Sequence, residues 1–134
     1  RNDHLSPMLT SIHHIAIICS NYERSKTFYR EVLGLRMLAE EYRQERDSWK
    51  ADFALDGRYI IELFSFPDPP PRPTHPEACG LRHLAFGVKD LDKAVATLRK
   101  KGVACEEARV DTASKKRFTF FQDPDGLPIE LYEQ

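Results

Sequence analysis

A chain of 134 residues, 41% hydrophobic and 31% charged, is long enough for one domain with a real core. Its formal net charge of −1 supplies no broad field for nucleic acid or an anionic membrane surface, and no apolar run reaches the ~20 residues of a transmembrane helix. The three cysteines, Cys19, Cys79 and Cys105, are an odd number without Cys-x-x-Cys spacing. They predict a reducing compartment, the cytoplasm by default, rather than a disulfide framework or a zinc knot.

The first residues carry no signal-peptide pattern. Residues 1–11 are expected to precede the folded unit as a disordered or appended stretch, and His4 is set aside from the site on that ground. Ile12 to Cys19 reads as a buried strand whose period of two places His14, Ala16 and Ile18 on one side and His13, Ile15, Ile17 and Cys19 on the other. Ser20 or Asn21 caps a predicted helix from about Tyr22 to Leu33, which Gly34 ends. Two or three strands follow between Leu35 and Ser65, with Asp56-Gly57 as a hairpin turn. Module one, residues 12–66, is thus βαβββ.

Residues 67–80 hold six of the nine prolines, which excludes a central strand or a helix and predicts a linker. At ~3.1 Å per residue it could span roughly 40 Å, enough to join modules within one chain or to reach over a neighbour. Module two, residues 81–134, repeats the plan. A strand Leu81 to Val88 leads to Asp90 as N-cap and a helix with Leu91, Ala94, Val95 and Leu98 on one stripe, ended by Gly102. Strands near Val103–Glu107 and Arg117–Phe121 then reach the turn Asp123-Pro124-Asp125-Gly126 and a last strand, Leu127 to Tyr132.

The two halves echo each other in detail. Ile12 to Cys19 recurs as Leu81 to Val88, and Ile60-Ile61-Glu62-Leu63 recurs as Pro128-Ile129-Glu130-Leu131. The histidine-to-glutamate spacing is 48 residues in the first copy and 47 in the second. A repeated supersecondary unit predicts two similar modules sharing one core. Each supplies one imidazole and one carboxylate, and two of each form an N₂O₂ shell suited to a divalent transition metal. A glutamate inside an apolar strand is costly to bury without a compensating cation.

These residues resemble the vicinal oxygen chelate superfamily, whose members open each half with His-[Ile/Leu]-Ala and close it with Ile-Glu-Leu. The order His, Glu, His, Glu is similar to bacterial glyoxalase I, lactoylglutathione lyase. The stretches Phe28-Tyr29-x-x-Val32-Leu33-Gly34-Leu35 and Asp123-Pro124-Asp125-Gly126 match too. The resemblance implies an α+β fold of two tandem βαβββ modules forming an open barrel-like sheet. It also implies one divalent ion per site (Ni, Co, Zn or Mn) held by His14, Glu62, His83 and Glu130, with Glu130 and then Glu62 as the catalytic base. It further implies a homodimer and a small-molecule substrate that reacts through an enediolate. Glyoxalase I has an arginine four residues beyond its first metal ligand and an asparagine four beyond its first glutamate, both holding glutathione. Here those places are Ile18 and Phe66, so a different thiol adduct or a thiol-free substrate is expected. Lys50 and Arg117 are candidate contacts for an anionic substrate. The alternatives within the same resemblance are an extradiol-type non-haem iron dioxygenase and a non-catalytic, resistance-type binding protein.

Overall fold

The computed structural model describes residues 6–134; residues 1–5, His4 among them, lie outside the described residues. In chain order the elements are β1 (Ile15–Cys19), α1 (Tyr22–Thr27), a π-helical turn (Phe28–Val32), β2 (Arg36–Arg43), a 3-10 turn (Gln44–Arg46), β3 (Ser48–Leu55) and β4 (Arg58–Ser65). Module two follows with β5 (Leu84–Val88), α2 (Leu91–Lys100), β6 (Arg109–Val110), β7 (Arg117–Gln122) and β8 (Pro128–Glu133). They form two four-stranded sheets of matching order, β1-β4-β3-β2 and β5-β8-β7-β6. Among the described residues only the β1/β4 and β5/β8 pairs are parallel.

Local chemistry explains most element boundaries. Asn21 and Asp90, equivalent in the repeat, accept from the backbone N–H groups of Arg24 and Lys93 at 3.1 and 3.0 Å, which satisfies a free donor at each helix start. Asp56 and Gly57 both have positive φ, as a two-residue hairpin of the twist-matched type requires.

The first helix was expected to run regularly to Leu33, but it widens after Thr27, where Leu33 N–H donates to the Phe28 carbonyl five residues back. This geometry lets the consecutive Phe28 and Tyr29 both reach the core. Segment 103–107 is not a strand. Glu106 makes one ladder-like bond to the Phe120 carbonyl and accepts from Thr119 Oγ1, and regular pairing with β7 waits until Arg109. The strands expected from Ile12 and Leu81 begin at Ile15 and Leu84, where parallel pairing with Ile61 and Ile129 begins. Nor is β1 buried on both sides, since Ile18 is 56% exposed on the side that carries Ala16.

Each sheet therefore has a core face and an open face. The core faces supply Ile17, Cys19, Ala51, Phe53, Ile61 and Leu63 from one module and Phe121, Ile129 and Leu131 from the other, joined by Tyr29, Leu91 and Leu98 from the helices. Truncating a fully buried member such as Leu63 or Ile129 costs about 2–5 kcal/mol in transfer and cavity terms.

Polar latches align the two modules. The Tyr29 hydroxyl donates to Asp123 Oδ2 at 2.7 Å, Ser20 donates to Asp125, and Lys101 Nζ caps the Glu31 carbonyl at 2.8 Å. The linker folds back on its own module two, where Arg72 donates to the carbonyls of Leu81 and Arg82 and Thr74 to that of Gly126.

Candidate functional site

The parallel register places Ala16 beside Glu62 and Ala85 beside Glu130, so each glutamate stands on the open face of the second strand of its sheet. His14 and His83 sit one position before β1 and β5, on the same side. His14 Nε2 lies 3.6 Å from Glu62 Oε1, and His83 Nε2 lies 3.2 Å from Glu130 Oε1. The repeat thus yields two equivalent imidazole–carboxylate pairs. Among the described residues no group of three or more His, Cys, Asp or Glu side chains is placed to hold one metal ion, so the two pairs are not gathered into one site within the chain.

The surroundings of the pairs differ. Across from Glu62, β3 presents Asp52, with Lys50 one row further along opposite Phe64. Lys50 Nζ lies 2.9 Å from Asp52 Oδ1 and 3.5 Å from Glu62 Oε2, and the bond to Asp52 is the main reason the lysine holds its proton more tightly than usual. Tyr59 stacks on His14 at 4.9 Å and donates to Asp52 at 3.2 Å; burial first, then the two carboxylates, push its phenol well above the ordinary range.

The equivalent places opposite Glu130 and Tyr132 are Phe120 and Phe118. Phe120 meets the His83 ring edge-on at 5.0 Å, and Arg109 lies over Phe118 at 5.1 Å. One half-site is charged and the other is aromatic. A cavity of about 1180 Å³ approaches the second pair, with His83, Phe120 and Arg109 in its wall.

Of the two candidate substrate contacts, Lys50 joins the first pair and Arg117 does not. Arg117 lies on the core-face side of β7 with Thr119 and is clasped by Asp92 at 3.1 Å and Glu133 at 3.0 Å, which together raise its pKa. Alternation along β7 separates it from Phe118 and Phe120.

His13 was placed on the opposite side from His14, but the strand does not reach it. Its Nδ1 lies 2.9 Å from His14 Nδ1. If His14 Nδ1–H is the donor, Nε2 presents a lone pair towards Glu62, an arrangement favourable only with a proton or cation between them. Asp52 and Tyr59 were not found by the repeat, because module two has no equivalents. The signal for Asp52 was its place opposite Glu62 across the β3–β4 hairpin, whereas Tyr59 has the opposite parity to Glu62 and reaches this face through the register shift between Phe53 and Ala54.

The family model of the Glyoxalase/Bleomycin resistance protein/Dioxygenase superfamily matches residues 11–131. The chain belongs to this superfamily. It is 63% identical over 126 residues to the YaeR protein of Escherichia coli (strain K12), covering 94% of this chain and 98% of that one. A glyoxalase family protein from Enterococcus faecalis, solved by crystallography, superposes with a TM-score of 0.88 at 45% identity, covering 95% and 100% of the two chains. More distant superfamily relatives carry names of activities. They include a lactoylglutathione lyase of Haemophilus influenzae at 29% identity, covering 90% of each chain, and the metallothiol transferase FosB of Staphylococcus saprophyticus at 24%, covering 93% and 78%.

Proposed function

We propose that the chain is a divalent-metal-dependent lyase or isomerase of glyoxalase I type, acting through an enediolate on a small α-oxygenated carbonyl compound or its thiol adduct. The observation that carries this reading is the pair of matched His–Glu contacts at 3.6 and 3.2 Å on the open faces of the two sheets. Two ligands each about 2.1 Å from one ion stand about 3.0–3.4 Å apart at octahedral to tetrahedral angles. The His83–Glu130 pair at 3.2 Å falls in this range, and the His14–Glu62 pair at 3.6 Å stands just outside it and would close slightly on an ion. The donors are nitrogen and oxygen only, which suits Ni, Co, Zn or Mn and leaves positions for two substrate oxygens. Four protein donors leave fewer open positions than the two-His-one-carboxylate triad of an extradiol enzyme. A resistance-type binding protein would have no need of both pairs.

Because His14–Glu62 and His83–Glu130 are not gathered into one site within the chain, we place the complete shell between two chains, each contributing one pair. A homodimer related by a two-fold axis would contain two such sites. The open faces, with Ile18 56% exposed, are the surfaces left to form it.

A divalent ion held there would polarise two adjacent substrate oxygens and lower the cost of the enediolate. The chain's own work is proton transfer and positioning. Glu130 removes the proton from the carbon beside the carbonyl and returns it to the neighbouring carbon. Glu62 is the near-symmetric alternative, but Lys50 occupies one of its oxygens at 3.5 Å, whereas Glu130 faces His83 and the Phe120 ring. His13 and Tyr59 orient the His14 imidazole. Ile18 and Phe66, the latter stacked on Phe64, offer no charge or amide to a glutathione tail.

The experiment is to load metal-free protein with Ni²⁺, Co²⁺, Zn²⁺ or Mn²⁺ and assay hemithioacetals of several thiols beside thiol-free substrates. Turnover with weak or no dependence on glutathione is expected, and Glu130→Gln should reduce kcat more than it weakens substrate binding. Full activity in Glu130→Gln would remove the assigned base, and turnover of the glutathione adduct alone would refute the substrate reading.

A further inference from the structure

The open face of module one carries two arginines that the proposed chemistry does not use. Arg43 ends β2 on the same side as Ala39 and Glu41, and its guanidinium reaches inward across β3 to lie over the Phe64 ring, 5.0 Å from its centroid. Arg46, in the turn that follows, lies over Phe66 at 5.0 Å, and Phe64 and Phe66 stack on each other at 5.7 Å. Arg43 Nε is buried and has no hydrogen-bond partner among the described residues. A buried donor without a partner is costly and rarely left so.

The other cation on this face is already neutralised. Lys50 is held between Asp52 and Glu62. No ion pair joins Arg43 to Glu41, the remaining carboxylate on that side of β2, among the described residues. Phe64 stands two residues beyond Glu62 on β4, a step of about 7 Å along one face of the strand. The guanidinium therefore lies one side-chain row from the His14–Glu62 pair, against the Phe64 ring and with its Nε–H unpartnered among the described residues.

We propose that Arg43, with Arg46 beside it, binds an anionic oxyacid group of the substrate, a carboxylate or a phosphate, two or three carbons from the oxygens that meet the His14–Glu62 pair. This deepens the proposed function and rests on it for the location of the reacting oxygens. A planar guanidinium pre-oriented on a ring matches two oxyanion oxygens at once, which a lysine does not. The ring also removes the need to order the long side chain on binding.

The test uses three probes on Ni²⁺-loaded protein by calorimetry: acetohydroxamate, which offers two adjacent oxygens and no remote charge, succinic monohydroxamate, which adds a carboxylate, and phosphonoacetohydroxamate, which adds a phosphonate. At least one anionic probe should bind about tenfold to a hundredfold tighter than acetohydroxamate, the range set by a charge-assisted hydrogen bond. Whichever gains more identifies the anion. In Arg43→Met this advantage should vanish while acetohydroxamate binding stays, and Arg43→Lys should restore part of it.

A metal-free arm separates this proposal from the metal reading: phosphate and succinate are titrated while the Arg43 Nε–H resonance is followed, and a saturable shift is expected with one of them. Absence of acetohydroxamate binding with that shift present would sink the metal reading alone. Equal affinity of all three probes, an advantage that survives Arg43→Met, or an unmoved resonance would overturn the anion site. Weakened self-association of Arg43→Met with unchanged probe affinities would overturn it too, by assigning Arg43 to a subunit contact.

Discussion

Replacing Tyr29 by phenylalanine deletes one oxygen from the junction of the two modules. Tyr29 is 0% exposed, and its hydroxyl donates at 2.7 Å to Asp123 Oδ2, while Asp123 Oδ1 accepts from the backbone N–H groups of Asp125 and Leu127 at 2.8 and 2.9 Å. The substitution leaves one oxygen of a buried carboxylate without its donor, and a hydrogen bond to a charged group contributes about 1.5–3 kcal/mol. A chain of this length has an unfolding entropy of about 0.28 kcal/mol/K near 60 °C, so Tm should fall by about 5–10 °C.

The pH dependence adds a second signature. Burial first, and then Asp123, raise the Tyr29 phenol far above its ordinary value. A group with a raised folded-state pKa gives stability that is complete below the unfolded value, about 10, and is lost as pH climbs beyond it. The gap between wild type and Tyr29→Phe should therefore narrow above pH 10, by about 1.4 kcal/mol per unit. Urea melts of both proteins at pH 7 and pH 10.5–11 measure this. A Tm within about 2 °C of wild type at neutral pH, or a gap that widens with alkalinity, would refute the latch.

Two further outcomes are expected. Cys79 is exposed, whereas burial pushes the Cys19 thiol up to about 11 and also raises Cys105, so iodoacetamide at pH 8 should label Cys79 first and Cys19 only after unfolding; fast labelling of Cys19 in the folded protein would contradict its place in the core. Arg117→Met should leave ligand affinity and turnover unchanged, because that side chain is occupied by Asp92 and Glu133 away from the His83–Glu130 pair; a large loss of substrate affinity would return it to the site.

The repeat made most of the architecture legible. Equivalent caps at Asn21 and Asp90, equivalent glutamates at 62 and 130 and the Asp56-Gly57 turn are all set by local chemistry that a single sequence displays. What escaped depends on contacts across elements. The widening after Thr27 comes from the core's demand for both Phe28 and Tyr29, which helical periodicity alone does not express. Segment 103–107 has the apolar content of a strand but makes only isolated bonds to β7. At the site, the histidines and glutamates were readable because they occur twice. Lys50 was readable as a charge, but its partners Asp52 and Tyr59 occur once, and only the hairpin register shows that they share the face of Glu62. Arg117 was readable only as a charge, and its place on the side of the core residues Thr119 and Phe121 shows only in the register of β7.

Metal binding by mixed variants tests the shared site most directly. One chain carries His14→Ala and Glu62→Gln, the other His83→Ala and Glu130→Gln, so neither homodimer has a complete shell. Co-refolded in equal amounts, half of the dimers should be mixed, each with one intact site and one empty one, and metal capacity should return to about one quarter of the wild-type value per chain. No recovery beyond the two separate variants, with mixed dimers shown to form, would contradict a shell completed by the second chain.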